Sequence, residues 1–185
     1  MNQEIEIKIK ISNPDEIEKK ILEKGRFIKE RKQTDKYFVP QNQDWFEIKP
    51  VSKYLRIRYE DDKHHLNYTD AKYDNKTVLL TSDEYEFNIE DPKTAEEFLK
   101  QLGHELKVTV TKTRKYFQVE NFEIVLDNIK ELGNFIEIEA KKDFGNAKKT
   151  RQACFDFAKE LGIQLNQSEY KSSGYPNMIL ENQKL

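Results

Sequence analysis

The chain has 185 residues, 36% of them charged, and 32 basic residues nearly cancel 34 acidic ones to leave a net charge of −2. This balance argues against a general nucleic-acid binder, which carries a basic excess. The single cysteine excludes an intrachain disulfide and a cysteine-based zinc site. No signal peptide is evident, and no apolar run reaches the roughly 20 residues that span a bilayer. We therefore expect a cytoplasmic protein without a membrane or nucleic-acid partner.

The first predicted elements are a strand and a helix. In "EIEIKIKI" (4–11) charged and isoleucine side chains alternate, which is the two-residue period of a strand. "SNPDEIEKKILEKG" (12–25) predicts a helix with Asn13 as its cap and Ile17, Ile21 and Leu22 on its buried face. A short extended segment and a loop are expected next, at 35–40 and 42–52.

Period-two segments dominate the rest of the chain and predict six further strands. These lie at 53–60, 64–71, 82–90, 108–119, 122–127 and 135–142. Capped helices are predicted at 91–103 and 146–162, with Cys154 in the core, and a weak segment closes the chain. Seven or eight strands without regular βαβ alternation predict an α+β fold with a mostly antiparallel sheet that curves toward a barrel.

Charged side chains share one face in several of these strands. Besides the first strand, the pattern occurs in "LRIR" (55–58), "DEYEF" (83–87), "KTR" (112–114), "EIVLD" (123–127) and "FIEIE" (135–139). Two architectures produce it. In an open sheet or sandwich the charges form a solvated face. In a closed barrel they line a polar interior, and amphipathic helices cover the apolar outer face.

If the charged side chains line the interior of a closed barrel, their types indicate one kind of ligand. Carboxylates at strand spacing are oxygen ligands for hard cations such as Mg²⁺ or Mn²⁺. Paired arginines and lysines suit phosphate oxygens. Acids and bases on facing strands therefore describe a site for a metal-bound polyphosphate.

The order of the motifs resembles a known family. "EIEIK" (4–8) is similar to the E-x-E-x-K signature of the CYTH superfamily, the triphosphate tunnel metalloenzymes, and it is followed by "DKYF", "YLRIR", "DEYEFNIED", "KTRKYF" and "IVLDNIKELGNFIEIE". The last block looks most like the class IV adenylyl cyclase branch. The resemblance implies a single domain over 1–185 with a C-terminal tail at about 171–185. It also implies an eight-stranded antiparallel β-barrel, the triphosphate tunnel, with flanking amphipathic helices.

The same resemblance implies the site residues. The metal-side carboxylates, for Mg²⁺ or Mn²⁺, would be Glu4, Glu6, Asp127, Glu137 and Glu139. The triphosphate-binding residues would be Lys8, Arg56, Arg58, Lys72, Lys112 and Arg114, of which Lys8, Arg56, Lys112 and Arg114 are the predicted catalytic residues. A homodimer is a further expectation from the cyclase branch.

One position departs from the family pattern. Related cyclases carry a lysine on the fourth strand where this chain has Thr69, and Lys72 follows three residues later. Lys72 could take that role through a bulge, or the contact could be missing.

The leading hypothesis for the function is a class IV adenylyl cyclase, which converts ATP to cyclic AMP and pyrophosphate. The first alternative is a metal-dependent triphosphatase that acts on inorganic, thiamine or nucleoside triphosphate. The second alternative is a non-catalytic module that binds a polyphosphate or a nucleotide.

Overall fold

The computed structural model describes residues 5–61, 63–73, 79–164 and 174–184, with the side chains of 79–81 outside that description. The elements are, in chain order, β1 (Ile5–Ile11), α1 (Pro14–Lys24), β2 (Arg26–Pro40), a 3₁₀ turn (Trp45–Glu47), β3 (Lys53–Glu60), β4 (Lys63–Tyr73), β5 (Leu79–Ile89), α2 (Pro92–Gln101), β6 (His104–Val119), β7 (Phe122–Ile129), β8 (Gly133–Ala140), α3 (Ala147–Glu160) and α4 (Tyr175–Asn182).

Strand pairing confirms an α+β fold with eight strands in an antiparallel sheet. The strands pair in the order β1-β8-β7-β6-β2-β3-β4-β5. β1 and β5 are the end strands of this order, and no hydrogen-bonded ladder among the described residues joins them. The eight strands are therefore confirmed, whereas closure into a barrel stays a prediction.

The chain divides into two compact units, and the single domain predicted over 1–185 stays a prediction. The first unit comprises Met1–Arg31 and Lys112–Gly174, and the second comprises Lys32–Thr111 and Tyr175–Leu185. Within the described ranges, no helix is both long and apolar enough to cross a membrane.

In the first unit the isoleucine face of the sheet is buried beneath helices. Its core includes Ile7, Ile9, Ile124, Ile136 and Ile138 from the strands and Ile17, Ile21, Cys154 and Leu161 from the helical segments. Burial of these side chains supplies most of the driving force for folding of the unit. Because successive strand side chains point to opposite faces, the charged residues between these isoleucines occupy the other face.

Helix α1 ends where the backbone comes close to β6. A Cβ atom on Gly25 would lie 2.3 Å from the carbonyl oxygen of Gln118, so only glycine fits at this position. The helix was predicted correctly, but two details of the prediction were wrong. The Asn13 side chain makes no capping hydrogen bond to the helix backbone, and Leu22 is exposed rather than buried.

The second unit has a smaller core and an additional helix. Phe38, Leu55, Ile57 and Leu99 form the core between the strands and α2. The segment expected to be a tail contains α4, in which Tyr175 and Met178 are among the buried residues.

Candidate active site

A network of charge-assisted hydrogen bonds crosses the polar face of the first unit. Arg114 on β6 donates from Nε to Oδ1 of Asp127, its cross-strand partner on β7, at 2.7 Å. Its Nη2 donates to Asp127 as well and, at 2.8 Å, to Oε2 of Glu137 on β8. Lys8 on β1 completes the network, with Nζ 3.2 Å from Oε1 of Glu137. These side chains are at most 14% exposed, so this part of the polar face is not simply solvated.

The pKa values of Glu137 and Lys8 are shifted in the directions that keep both groups charged at neutral pH. Burial alone would raise the pKa of Glu137. The positive charges of Lys8, Arg114 and Lys112 lower it by more, so the pKa lies well below its ordinary value. Burial likewise lowers the pKa of Lys8, while Glu137 and Glu6 raise it by more. Lys112 is itself buried, at 5% exposure. Lys8 and Arg114 are thus held by carboxylates on the neighbouring strands, and Lys112 lies close enough to Glu137 for its charge to lower the pKa of that carboxyl.

A row of three carboxylates lies beside the network on the same face. The strand register pairs Glu6 with Glu139 and Glu139 with Glu123. Lys141 bonds to Glu139 at 2.8 Å and lies 3.8 Å from Glu123. The side chain of Glu6 retains accessible surface, yet burial and then the negative charge of Glu137 raise the pKa of its carboxyl to about 7. Like charges directly opposite each other destabilise a sheet, so this row favours a bound cation.

The second unit contains its own arginine–aspartate pair. Arg58 on β3 donates from Nε to Oδ1 of Asp35 at 2.6 Å and from Nη2 to Oδ2 at 2.9 Å. Asp35 is the cross-strand partner of Arg58 on β2 and is completely buried. This two-point geometry fixes the orientation of the guanidinium group as well as its position.

Arg56 lies next to this pair and is much less satisfied. It shares a face with Arg58 because the two residues are two positions apart on β3. Its Nη1 is 3.7 Å from Asp35 and its Nη2 is 4.0 Å from Glu86, both beyond hydrogen-bonding distance. Its Nε is buried without a hydrogen-bond partner. A buried donor left unpaired is expensive, and it marks a place for an acceptor from a ligand.

The hydroxyl of Tyr37 also lies beside Arg56, its cross-strand partner. Burial raises the pKa of Tyr37, and the nearby guanidinium opposes that effect. On the other side of Arg56 the register places Asn67, whose amide accepts a hydrogen bond from Thr69 Oγ1 at 3.1 Å. The neighbours of Arg56 on the adjoining strands are therefore neutral apart from Asp35 and Glu86.

Lys72 lies on the opposite face of the sheet from the arginines. Arg56 pairs with Asn67, so Thr69 shares their face and Lys72 does not. The bulge that could have moved Lys72 occurs after it, between Lys72 and Tyr73. Lys72 is exposed and forms an ion pair with Asp83. The geometry gives no support to Lys72 as a substitute for the missing fourth-strand lysine.

The predicted metal residues are only partly gathered by the structure. Glu4 lies outside the described residues. Within the described ranges, no three Asp, Glu, His or Cys side chains converge closely enough to enclose a metal ion. Both oxygens of Asp127 are engaged by Arg114, whereas Glu6 and Glu139 stand directly opposite each other.

Asp35 was not among the predicted site residues, although the motif "DKYF" begins with it. An aspartate is unfavourable inside a strand, and Asp35 shares its face with the buried Gln33 and Tyr37. A buried acid flanked by buried positions predicts a cationic partner, and that signal was available in the sequence.

The sequence model of the CYTH domain family matches residues 2–173. The chain belongs to the CYTH family. Among curated CYTH-like relatives, a protein of Methanocaldococcus jannaschii with the name "Putative adenylate cyclase" is 30% identical over 162 residues, which cover 86% of this chain and 90% of the relative.

Solved structures agree with this assignment. The PH1819 protein of Pyrococcus horikoshii has a TM-score of 0.78 and 29% identity, and the match covers 97% of this chain and 99% of that one. A Hippeastrum protein, named as a "Putative adenylyl cyclase" with a dominant triphosphatase activity, has a TM-score of 0.71 and 20% identity. That match covers 100% of this chain and 97% of the Hippeastrum chain, and at this identity it shows the CYTH fold alone.

Proposed function

We propose that this CYTH protein is a metal-dependent enzyme that acts on a triphosphate, and that its leading reaction is cyclisation of ATP to cyclic AMP and pyrophosphate. The network of Lys8, Lys112 and Arg114 carries the proposal, because it presents buried, positioned cations beside a row of carboxylates. Preorganised cations stabilise the charge that develops on phosphate oxygens during transfer, and this is the largest contribution that a protein makes to such reactions.

The donor set fits a hard divalent cation. Glu6 and Glu139 supply facing carboxylate oxygens, which are the ligands that Mg²⁺ and Mn²⁺ prefer. Asp127 and Glu137 have both of their oxygens engaged by Arg114 and Lys8, whereas Glu139 meets Lys141 through Oε1 alone. We therefore assign Glu6 and Glu139 to the metal, with Glu4 as a further predicted ligand. A bound divalent cation would neutralise phosphate oxygens and help to orient the triphosphate.

The phosphate-binding residues are assigned by their surroundings. Lys8, Lys112 and Arg56 bind and neutralise phosphate oxygens, because each is a positioned cation on the polar face of its own unit. In the cyclase reaction the ribose 3′-hydroxyl attacks the α-phosphorus and pyrophosphate leaves. Both the attack and the departure depend on positioning and charge neutralisation, which buried cations such as Lys8 and Lys112 of the first unit would supply.

A triphosphatase is the second candidate. In that reaction water attacks the terminal phosphorus of the same bound species. The dominant triphosphatase activity in the name of the Hippeastrum protein supports it. The absence of a lysine at Thr69 also supports it, since that change alters the face shared with Arg56.

One assay separates the candidates. The protein is incubated with ATP, with inorganic triphosphate and with thiamine triphosphate, each with Mg²⁺ or Mn²⁺, and all products are identified by chromatography. Cyclic AMP with stoichiometric pyrophosphate supports the cyclase. Orthophosphate without cyclic AMP would replace it with the triphosphatase. Binding of all three compounds without turnover would contradict both enzyme assignments.

A further inference from the structure

We infer that Asp35 is a positioning residue, which holds Arg58 as a fixed support and leaves Arg56 as the phosphate ligand of the second unit. The inference deepens the proposed function and rests on it. It assigns different roles to the two arginines of "LRIR" (55–58), although the family resemblance implies that both bind the triphosphate.

Arg58 is already bound by Asp35. Its Nε and Nη2 already form two charge-assisted hydrogen bonds with Asp35, at 2.6 and 2.9 Å. Those are the two donors with which an arginine grips a phosphate in the fork geometry. To bind a phosphate in this way, Arg58 would have to give up both of its hydrogen bonds to a fully buried carboxylate, which is unfavourable.

Arg56, in contrast, meets no carboxylate oxygen at hydrogen-bonding distance among the described residues. Its side chain is 21% exposed, so a ligand can reach it, and its nearest carboxylate oxygens are 3.7 and 4.0 Å away. Its Nε lacks a hydrogen-bond partner although it is buried. This donor gains a full hydrogen bond when a phosphate oxygen arrives, without loss of an existing one.

Asp35 links the two arginines. Arg58 neutralises Asp35 and occupies both of its oxygens, so Asp35 does not draw Arg56 into a bidentate pair of its own. The remaining 3.7 Å contact with Asp35 still attracts the Arg56 guanidinium and limits its motion. Asp35 thus acts on the phosphate through Arg56, and it does so only while Arg58 is bound to it.

The decisive measurement is the sign of the effect of Asp35→Asn on anion binding. Simple electrostatics predicts that loss of a carboxylate beside an anion site tightens binding of the anion. Positioning predicts the opposite, because both guanidinium groups lose their common anchor. We expect the Kd for inorganic triphosphate, measured by titration calorimetry with and without Mg²⁺, to rise at least about tenfold, the equivalent of one charge-assisted hydrogen bond.

The matched control is Asp83→Asn, which removes the same charge from an ion pair on the opposite face of the same unit. It should leave the Kd unchanged. An unchanged or lower Kd in Asp35→Asn would overturn the inference while leaving the proposed function intact. If the wild-type protein does not bind triphosphate under either condition, the proposed function fails and the inference fails with it.

A second measurement follows the wild-type protein itself. The arginine Nε–H signals of the wild-type protein are followed by ¹H–¹⁵N NMR during titration with inorganic triphosphate, and Arg56→Lys and Arg58→Lys serve to assign them. The Arg58 signal should be protected from exchange in the free protein and should stay in place. The Arg56 signal should shift and become protected on binding. A shift of the Arg58 signal as large as that of Arg56 would refute the division of roles.

Discussion

Both units contain an arginine paired with a buried aspartate, but the residues around the two pairs differ. In each unit an arginine meets a buried aspartate directly across the strands, Arg114 with Asp127 and Arg58 with Asp35. Each arginine follows a second cation two residues earlier on the same face, Lys112 in the first unit and Arg56 in the second. One cation of each couple is therefore tied to a buried acid.

The difference lies on the next strand. In the first unit the network continues to Glu137 and Lys8, and a row of further carboxylates lies beside it. In the second unit the residue across from Arg56 on β4 is the amide Asn67, and the nearest further carboxylate, Glu86, is about half exposed. The first unit thus combines cations with a row of carboxylates, whereas in the second unit two arginines share a face with the buried Asp35 and with the exposed Glu84 and Glu86.

The largest expected effect comes from breaking the two arginine pairs separately. Arg114→Met leaves Asp127 and Glu137 without their guanidinium, and we expect the free energy of unfolding to fall by about 3–5 kcal/mol. Arg58→Met should reduce it by clearly less, because Arg56 is only 3.7 Å from Asp35 and can take over the charge. Urea unfolding followed by circular dichroism measures both. Equal losses would show that the two pairs are energetically alike.

Activity should be most sensitive to Lys8, the cation that the first unit has in addition to Lys112 and Arg114. Lys8→Met removes a buried charge from the proposed phosphate site, so kcat/KM for the triphosphate substrate should fall about 100-fold. Lys10→Met is the matched control, since Lys10 lies on the same strand and face but is exposed. Steady-state kinetics of both variants would contradict the assignment if their losses were similar.

Metal affinity should depend on Glu6 and Glu139 and not on acids of the first unit that lie away from the carboxylate row. Glu6→Gln and Glu139→Gln should each weaken Mn²⁺ binding about tenfold, the loss typical of one ligand or its supporting partner. Calorimetric titration with Mn²⁺ measures this. Glu160→Gln, which alters an exposed ion pair with Lys24, should bind Mn²⁺ like the wild type. If all three variants kept wild-type affinity, the metal would have to be placed elsewhere.

Phosphate binding by the second unit should be open to enhancement. Thr69→Lys adds a cation to the face that carries Arg56, and we expect it to tighten triphosphate binding a few-fold, equivalent to roughly 1 kcal/mol. The same lysine at Tyr85, an exposed position on the opposite face of β5, should have no effect. Titration with inorganic triphosphate compares the two, and equal changes would point to net charge alone.

A smaller effect is expected from the thiol in the core of the first unit. Burial raises the pKa of Cys154 to about 11 from 9.0. Between these values the folded protein retains a proton that the unfolded chain releases, so this thiol lowers stability as the pH rises through that window. The loss of stability between pH 9 and pH 11, measured by thermal unfolding, should be slightly smaller in Cys154→Ala than in the wild type. An identical pH dependence would contradict it.

Much of the fold could be predicted because alternation and helix boundaries are local signals. β1 and β7 were predicted almost to the residue, and the cap of α2 was predicted correctly, since Asp91 accepts hydrogen bonds from Lys93 and Thr94. β2 was predicted only from residue 35, because its first half is mostly exposed and has no alternation. α4 was predicted only as a weak closing segment, since its stability depends on burial in the second unit.

The site was predictable in its residue types but not in its pairings. A motif places Arg58 and Arg114 on a face, yet it does not tell which acid lies across the strand from each. That information is in the register, which depends on the whole sheet. The partner of Asp35 and the face that Lys72 occupies both depend on this register.

The register of β1 against β8 has a consequence for how the sequence can change. Ile7 pairs with Ile138 on one face and Lys8 with Glu137 on the other. A slip of one residue would push lysine and glutamate into the core beneath the helices and turn the isoleucines toward the charges. Insertion or deletion of a single residue in β1 would therefore disrupt the apolar and the charged face together. The sequence of this strand can change by substitution but not by a change in length.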